Sequence, residues 1–156
     1  MTSPEPQQTV IGWREYVSLP DFGVEHIKAK ADTGARTSAL DVANLQQLAG
    51  DRVRFDLVVD RTHPEQMVSV EADVVRLARV KSSFGHAHVR PIIETRIRLG
   101  SVEKVVQFGL LCRRNMICRM LLGRAALSPE FLVDPLRRYT HGRRPRGRTK
   151  FRKKQP

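Results

Sequence analysis

Lys30-Ala31-Asp32-Thr33-Gly34-Ala35-Arg36-Thr37-Ser38 decides how the rest of this chain is read. It follows a run in which Ile27, Ala29 and Ala31 fall on one face and Lys28 and Lys30 on the other, the period of a half-buried strand. That strand, Val24 to Ala31, delivers the Asp32 carboxylate into a turn with no room for bulk. Gly34 lets the backbone approach another backbone or a ligand. Ala35 adds little volume, and Thr33 and Thr37 carry hydroxyls that hold the turn. Asp, Thr and Gly are ordinary turn residues, so the triplet gains meaning only from a second stretch.

That stretch is Met120-Leu121-Leu122-Gly123-Arg124, followed by Ala125-Ala126-Leu127. It reads as an apolar strand that ends in a Gly-Arg corner and enters a small helical turn. With both halves in this order, the chain resembles the bacterial retropepsin-like family whose members are often labelled ATP-dependent zinc proteases. The resemblance extends from Ile11 to Tyr139. It is carried by Ile11-Gly-Trp-Arg-Glu15, the run from Lys28 to Leu40, Val89-Arg-Pro-Ile-Ile93, Met120-Leu-Leu-Gly-Arg124 and Phe131-Leu-Val-Asp-Pro135. It implies an all-β fold, a small closed barrel with one short helix near its C-terminal end. It also implies Asp32 as the catalytic residue, Thr33, Gly34, Ala35 and Thr37 as its supporting loop, and Leu122, Gly123 and Arg124 as a structural anchor beneath that loop. In the family the Gly-Arg arginine ties down an acid just past the catalytic loop. Arg36 and Thr37 stand there in this chain, which makes Asp41 the expected substitute partner.

Amide hydrolysis by such an enzyme needs two carboxylates in contact. One is ionised and takes a proton from water, while the other is protonated and polarises the carbonyl. Two such groups cannot both ionise cheaply, so they share a proton and titrate as a pair. Only one Asp-Thr-Gly occurs here, so a dyad requires two chains with Asp32 facing Asp32 across an isologous interface. The resemblance implies that homodimer, built through the Asp32 loop with Thr33 hydroxyls bonding across the axis.

With 156 residues and 40% hydrophobic content, the chain suits one domain with a modest core. Only 6% of residues are aromatic, so Val, Ile and Leu must fill that core, which favours strands. Arg52 to Val59, Pro91 to Leu99, Lys104 to Leu111 and Phe131 to Asp134 read as strands, and turns recur at intervals of roughly 8–12 residues, the pattern of a small barrel. Val10 to Leu19 reads as a single strand ending in the Pro20-Asp-Phe-Gly23 turn. The resemblance implies a short strand from Thr37 to Leu40, and the spacing Leu40, Ala43, Leu45, Leu48 predicts a helical stretch after it, ending at Gly50. Val80 to Val89 reads as a hairpin placed where a retropepsin carries its flap. Ser83, Phe84, Gly85 and His86 are the candidate flap residues, and a plain surface hairpin is the alternative. The resulting division is a flexible leader (1–8), a retropepsin-like domain (9–136) and a basic tail (137–156) expected to be disordered in isolation.

The formal net charge is +12, and ten basic residues lie between Arg137 and Lys154 with no acid among them; removing these ten from +12 leaves +2. The tail is therefore the polycation. Its expected partners are polyanions such as RNA, the ribosome or an acidic protein tail, with pure solubilisation as the alternative. Neither a secretory signal nor a span-length apolar run is legible, so the expectation is a cytoplasmic protein with no membrane partner. Cys112 and Cys118 are then free thiols; a disulfide bracing a hairpin around Arg113 to Ile117 is the alternative. No metal and no other cofactor is expected. His86 and His88 are two apart, but His26, His63 and His141 lie elsewhere, and neither His-Glu-x-x-His nor a phosphate-cradling Gly-x-x-x-x-Gly-Lys-Ser/Thr loop occurs. Family members are associated with an ATP-grasp ligase that adds glutamates to the end of a ribosomal protein, so the resemblance implies a peptide or protein substrate with an acidic tail. Two readings compete with the peptidase: a non-catalytic polyanion-binding or ribosome-binding module on a protease-like barrel, and a metallohydrolase centred on His86 and His88.

Overall fold

Alternation and β-branching along the chain produce eleven strands among the residues that the computed structural model describes, 4–5, 7–60, 62–63, 65–81, 84–112 and 118–142. They are β1 (Thr9–Gly12), β2 (Arg14–Leu19), β3 (Val24–Ala31), β4 (Ser38–Leu48), β5 (Arg52–Val58), β6 (Met67–Asp73), β7 (Arg76–Lys81), β8 (Ala87–Leu99), β9 (Val102–Leu111), β10 (Met120–Leu122) and β11 (Phe131–Asp134). A 3-10 turn, Pro20–Phe22, joins β2 to β3, and one short helix, α1 (Arg124–Leu127), follows β10.

The pairings close on themselves. β10 lies parallel to β3 and antiparallel to β4; β3 pairs with β2, β2 with β8, β8 with β9, and β9 returns to β4. Six strands thus form the closed barrel that the sequence leads one to expect, and closure removes free edges from the ring. β5 and β6 extend from β4, β7 forms a hairpin with β8, and β1 pairs with β11 in a separate parallel ribbon. Val17, Leu19, Ile27, Leu40, Ile93, Ile97, Phe108 and Met120 are buried in the core, each burial stabilising by about 1.5–3 kcal/mol.

Two local expectations fail. Val10 to Leu19 is not one strand. Trp13 interrupts it, its N–H donating to the Arg137 carbonyl and its own carbonyl accepting from Ala31 N, so β1 joins β11 while β2 enters the barrel. The helix expected after Leu40 is also absent, because β4 runs from Ser38 to Leu48 as a strand. Its pairing with β5 slips between Ala43 and Gln46, where Asn44 takes a φ of 53°. Leu40 and Val42 face the core before the bulge and Leu45 packs against it after, whereas Ala43, registered with Asp56, is on the opposite face; the helix-like spacing of 40, 43, 45 and 48 mixes the two faces.

Composition also misplaced the end of the docked chain. Residues 137–142, counted with the tail, lie against the barrel. Tyr139 N donates to the Arg14 carbonyl, and the Tyr139 ring stacks on Tyr16 with centroids 4.9 Å apart. The buried Glu15 carboxylate accepts from Gly12 N, Thr140 N, Thr140 Oγ1 and His141 N. The anchor is an acid on β2, far upstream, so the segment's own composition carries no sign of it. The rest of the tail, 143–156, lies outside the described residues. No helix among the described residues is long and apolar enough to cross a membrane. Cys112 is exposed and Cys118 buried, and both are free thiols; the hairpin expected between them, 113–117, is outside the described residues.

Candidate active site

β3 buries Ile27 and Ala29 and ends at Ala31, so Asp32 stands where the strand leaves the barrel. Three hydrogen bonds fix it. Asp32 N donates to the Leu122 carbonyl at 2.8 Å, Ala35 N donates to the Asp32 carbonyl at 3.3 Å, and Gly34 N donates to Asp32 Oδ1 at 3.1 Å. The last closes an Asx turn, so the half-buried carboxylate is oriented by its own loop. A Cβ at position 34 would stand 3.3 Å from that oxygen, a tighter approach than most side chains allow.

Beneath the loop, β10 is threaded between two barrel strands. Met120 is registered with both Ala29 and Leu40, Leu121 with Lys30 and Ala39, and Leu122 with Ala31. Gly123 then passes backbone on backbone, since a Cβ there would meet the Arg36 carbonyl oxygen at 2.7 Å. Its φ of −81° suits any residue, so the demand is for space alone. Gly123 N donates to Ser38 Oγ at 3.0 Å, Arg124 N to the Ala35 carbonyl at 2.8 Å, and Ala125 N to the Arg36 carbonyl at 3.0 Å. Arg124 Nη1 donates to the Thr33 carbonyl at 2.9 Å. Asp41, the expected partner of Arg124, is instead in a buried ion pair with Arg119, and its N–H also donates to the Arg119 carbonyl. Arg124 therefore holds the loop through a peptide carbonyl and not through an acid.

The β7–β8 hairpin is registered as far as Lys81 opposite Ala87. At its end Phe84 is 89% exposed, His86 is exposed and Gly85 has a φ of 80°; Ser83 lies outside the described residues. His88 sits on β8. Among the described residues, no three His, Cys, Asp or Glu side chains gather as a metal would require. The outward face of β2 and β3 is basic, with Arg14 registered to Lys30 and Tyr16 to Lys28. Arg14 also lies 4.4 Å over the Trp13 ring. Burial pushes the nearby Cys118 thiol up from its ordinary value, while Arg14, Lys28 and Lys30 oppose that shift in part.

A family model described as "Retropepsin-like aspartic endopeptidase RimB" matches residues 10–144, a span that includes the whole loop and the strand threaded beneath it. The chain belongs to the RimB-like family. A "Probable alpha-L-glutamate ligase" of Shewanella pealeana is 36% identical over 129 residues, which are 81% of this chain and 28% of the ligase. A protein of the same name from Desulfotalea psychrophila is 31% identical over 136 residues, 85% of this chain and 29% of its own. The RimB-like chain thus spans 28–29% of the length of these curated relatives. Among solved structures, Lpg0085 of Legionella pneumophila, of unknown function, superposes with a TM-score of 0.70 at 26% identity, over 85% of this chain and 98% of that one.

Three residues that hold this RimB-like fold together carry no role in the sequence motifs, although Ser38 and Glu15 lie within two of them. Ser38 closes the corner at Gly123, Arg119 pairs with Asp41, and Glu15 pins the segment after β11. Each is a polar side chain on or beside a strand, and its partner lies far away in the sequence. The available signal is polarity at a position whose alternation predicts burial, as at Glu15 between Arg14 and Tyr16.

Proposed function

We propose that the chain is an aspartic endopeptidase acting as a homodimer, one Asp32 from each protomer, on acidic, glutamate-rich peptide tails. The observation that carries this reading is the support of Asp32, with Leu122 holding its N–H, Gly34 holding Oδ1 and Arg124 holding the next carbonyl. General acid–base catalysis needs a carboxylate fixed in this way. A lone carboxylate cannot act as base and acid at once, so the second comes from a symmetry mate. Thr33 and Gly34 are exposed at the loop tip, where that mate would meet them. The ionised Asp32 takes a proton from water as its oxygen attacks the amide carbon, and the protonated Asp32 hydrogen-bonds the carbonyl oxygen. The C–N bond then breaks as the nitrogen receives a proton, giving an acid and an amine. Phe84, Gly85 and His86 of the β7–β8 hairpin are the lid over bound peptide.

The acidic substrate is supported by the basic face of Arg14, Lys28 and Lys30, on the strands that lead to Asp32. It is also supported by relatives named as probable alpha-L-glutamate ligases. The working compartment in this reading is the cytoplasm, in keeping with two free thiols. The test is incubation of the purified chain with a glutamate-rich peptide, followed by mass spectrometry. The wild type should cut it, and Asp32→Asn should melt as the wild type does and cut nothing. A mutant that still cuts, or a strictly monomeric chain that cuts, overturns the reading. The same basic face favours a second reading, polyanion binding without hydrolysis, which predicts RNA or ribosome binding that falls steeply with salt.

A further inference from the structure

Pairing across four strands sets one row of residues on the sheet face outside the barrel. Arg76 of β7 is registered with Ile92 of β8, Ile92 with Gly109 of β9, and Gly109 with Ala39 of β4. Registered partners project to the same side. Their neighbours Ile93, Phe108 and Leu40 point the other way and fill the core. Ile92 in this row is buried, with its Cδ1 3.4 Å from where a Cβ on Gly109 would stand. Two residues along the same strands, Glu94 of β8 and Gln107 of β9 are registered on this same face, and they line a groove of about 560 Å³ together with Arg36, Thr37, Arg76 and Ala125, among others.

Two guanidiniums and one carboxylate line this groove, and the carboxylate is engaged. Gln107 Nε2 donates to Glu94 Oε1 at 2.9 Å, and Gln107 Oε1 accepts from Arg76 Nε at 3.1 Å. The amide therefore stands between Glu94 and Arg76. Among the described residues neither Arg36 nor Arg76 forms an ion pair, and both are exposed. Arg36 follows Asp32 by four positions, and its backbone is fixed by Ala125 N, so its side chain starts from a rigid point beside the candidate catalytic loop. A planar guanidinium with free N–H groups is matched to a carboxylate, which it binds through paired hydrogen bonds.

We propose that this groove is a carboxylate-binding subsite of the peptide cleft, in which Arg36 and Arg76 hold an acidic side chain, or the terminal carboxylate, of a bound peptide. The inference rests on reading the Asp32 loop as a peptide site. It adds the two residues that select for acid there, at a position away from the bond to be cut.

The experiment measures binding in a background that cannot hydrolyse, Asp32→Asn, so that it does not depend on cleavage. The probes are a fluorescein-labelled alanine-based peptide carrying a run of glutamates, its all-glutamine counterpart, and the glutamate peptide with an amidated C-terminus. Combining Arg36→Gln with Arg76→Gln should weaken the glutamate peptide about tenfold, the scale of charge-assisted hydrogen bonds at a partly exposed site, and leave the glutamine peptide unchanged. Loss of the effect in the amidated peptide assigns the carboxylate to the chain end, and its retention assigns it to a side chain. Arg36→Glu should reverse the preference between glutamate-bearing and lysine-bearing peptides. Equal weakening of the glutamate and glutamine peptides, no weakening, or no binding of the glutamate peptide overturns the proposal. If the charge-dependent binding holds while the wild type cuts nothing, the subsite stands and the peptidase reading falls.

Discussion

Replacing Gly123 with alanine puts one methyl group into the closest backbone contact at the candidate site. The new Cβ would stand 2.7 Å from the Arg36 oxygen and 2.8 Å from the Arg36 and Thr37 carbonyl carbons, all main-chain atoms with no rotamer to yield. Relief requires the corner to lift from the loop, which stretches the Arg124 N to Ala35 and Ala125 N to Arg36 hydrogen bonds. Overpacking costs about 1–3 kcal/mol and two weakened hydrogen bonds about 1 kcal/mol each, so the loss is about 3–5 kcal/mol. For a chain of this size that lowers the melting temperature by roughly 6–20 °C. Differential scanning calorimetry of wild type and Gly123→Ala measures it. Gly109→Ala is the control, because a Cβ there meets nothing nearer than the Ile92 Cδ1 atom at 3.4 Å and should leave the melt almost unchanged. An alanine at position 123 that melts with the wild type would refute the account of how the corner supports the Asp32 loop.

Two further outcomes follow from buried groups. Arg119→Met leaves the Asp41 carboxylate buried without its ion-pair partner and should destabilise by about 3–5 kcal/mol in urea titration, whereas pairing it with Asp41→Leu should recover much of the loss; equal stability of the two variants would count against the pair. Burial holds the Cys118 thiol above its ordinary value, so at neutral pH it should react with Ellman's reagent more slowly than the exposed Cys112. The raised value also means that the unfolded chain ionises this thiol first; the contribution of Cys118 to stability is full below the ordinary thiol pKa and declines as pH rises past it. A fast-reacting Cys118, read by peptide mapping of the labelled product, would contradict that burial.

Where alternation was regular, local pattern and final fold agreed: β3, β5, β9 and β11 lie within a residue or two of where their apolar spacing puts them. Disagreement came where a remote partner intervened. β4 read as partly helical because apolar residues on both of its faces, Leu40 inward and Ala43 opposite Asp56, fall at a helix-like spacing, and only pairing with β5 shows which residues face inward. Tyr139 to His141 read as tail because their anchor, Glu15, lies more than a hundred positions away. Asp41 was matched with the wrong arginine, since charge alone does not distinguish Arg124 from Arg119 and burial does.

By itself the sequence determined the strand content, the loop that carries Asp32 and the corner at Gly123-Arg124, because short-range spacing and the steric limits of glycine and alanine are written residue by residue. Tertiary structure alone decided which carbonyl Arg124 holds, that β10 runs between β3 and β4, and that Arg36 and Arg76 share one groove. Those are contacts between segments tens of residues apart, and they exist only once the barrel closes.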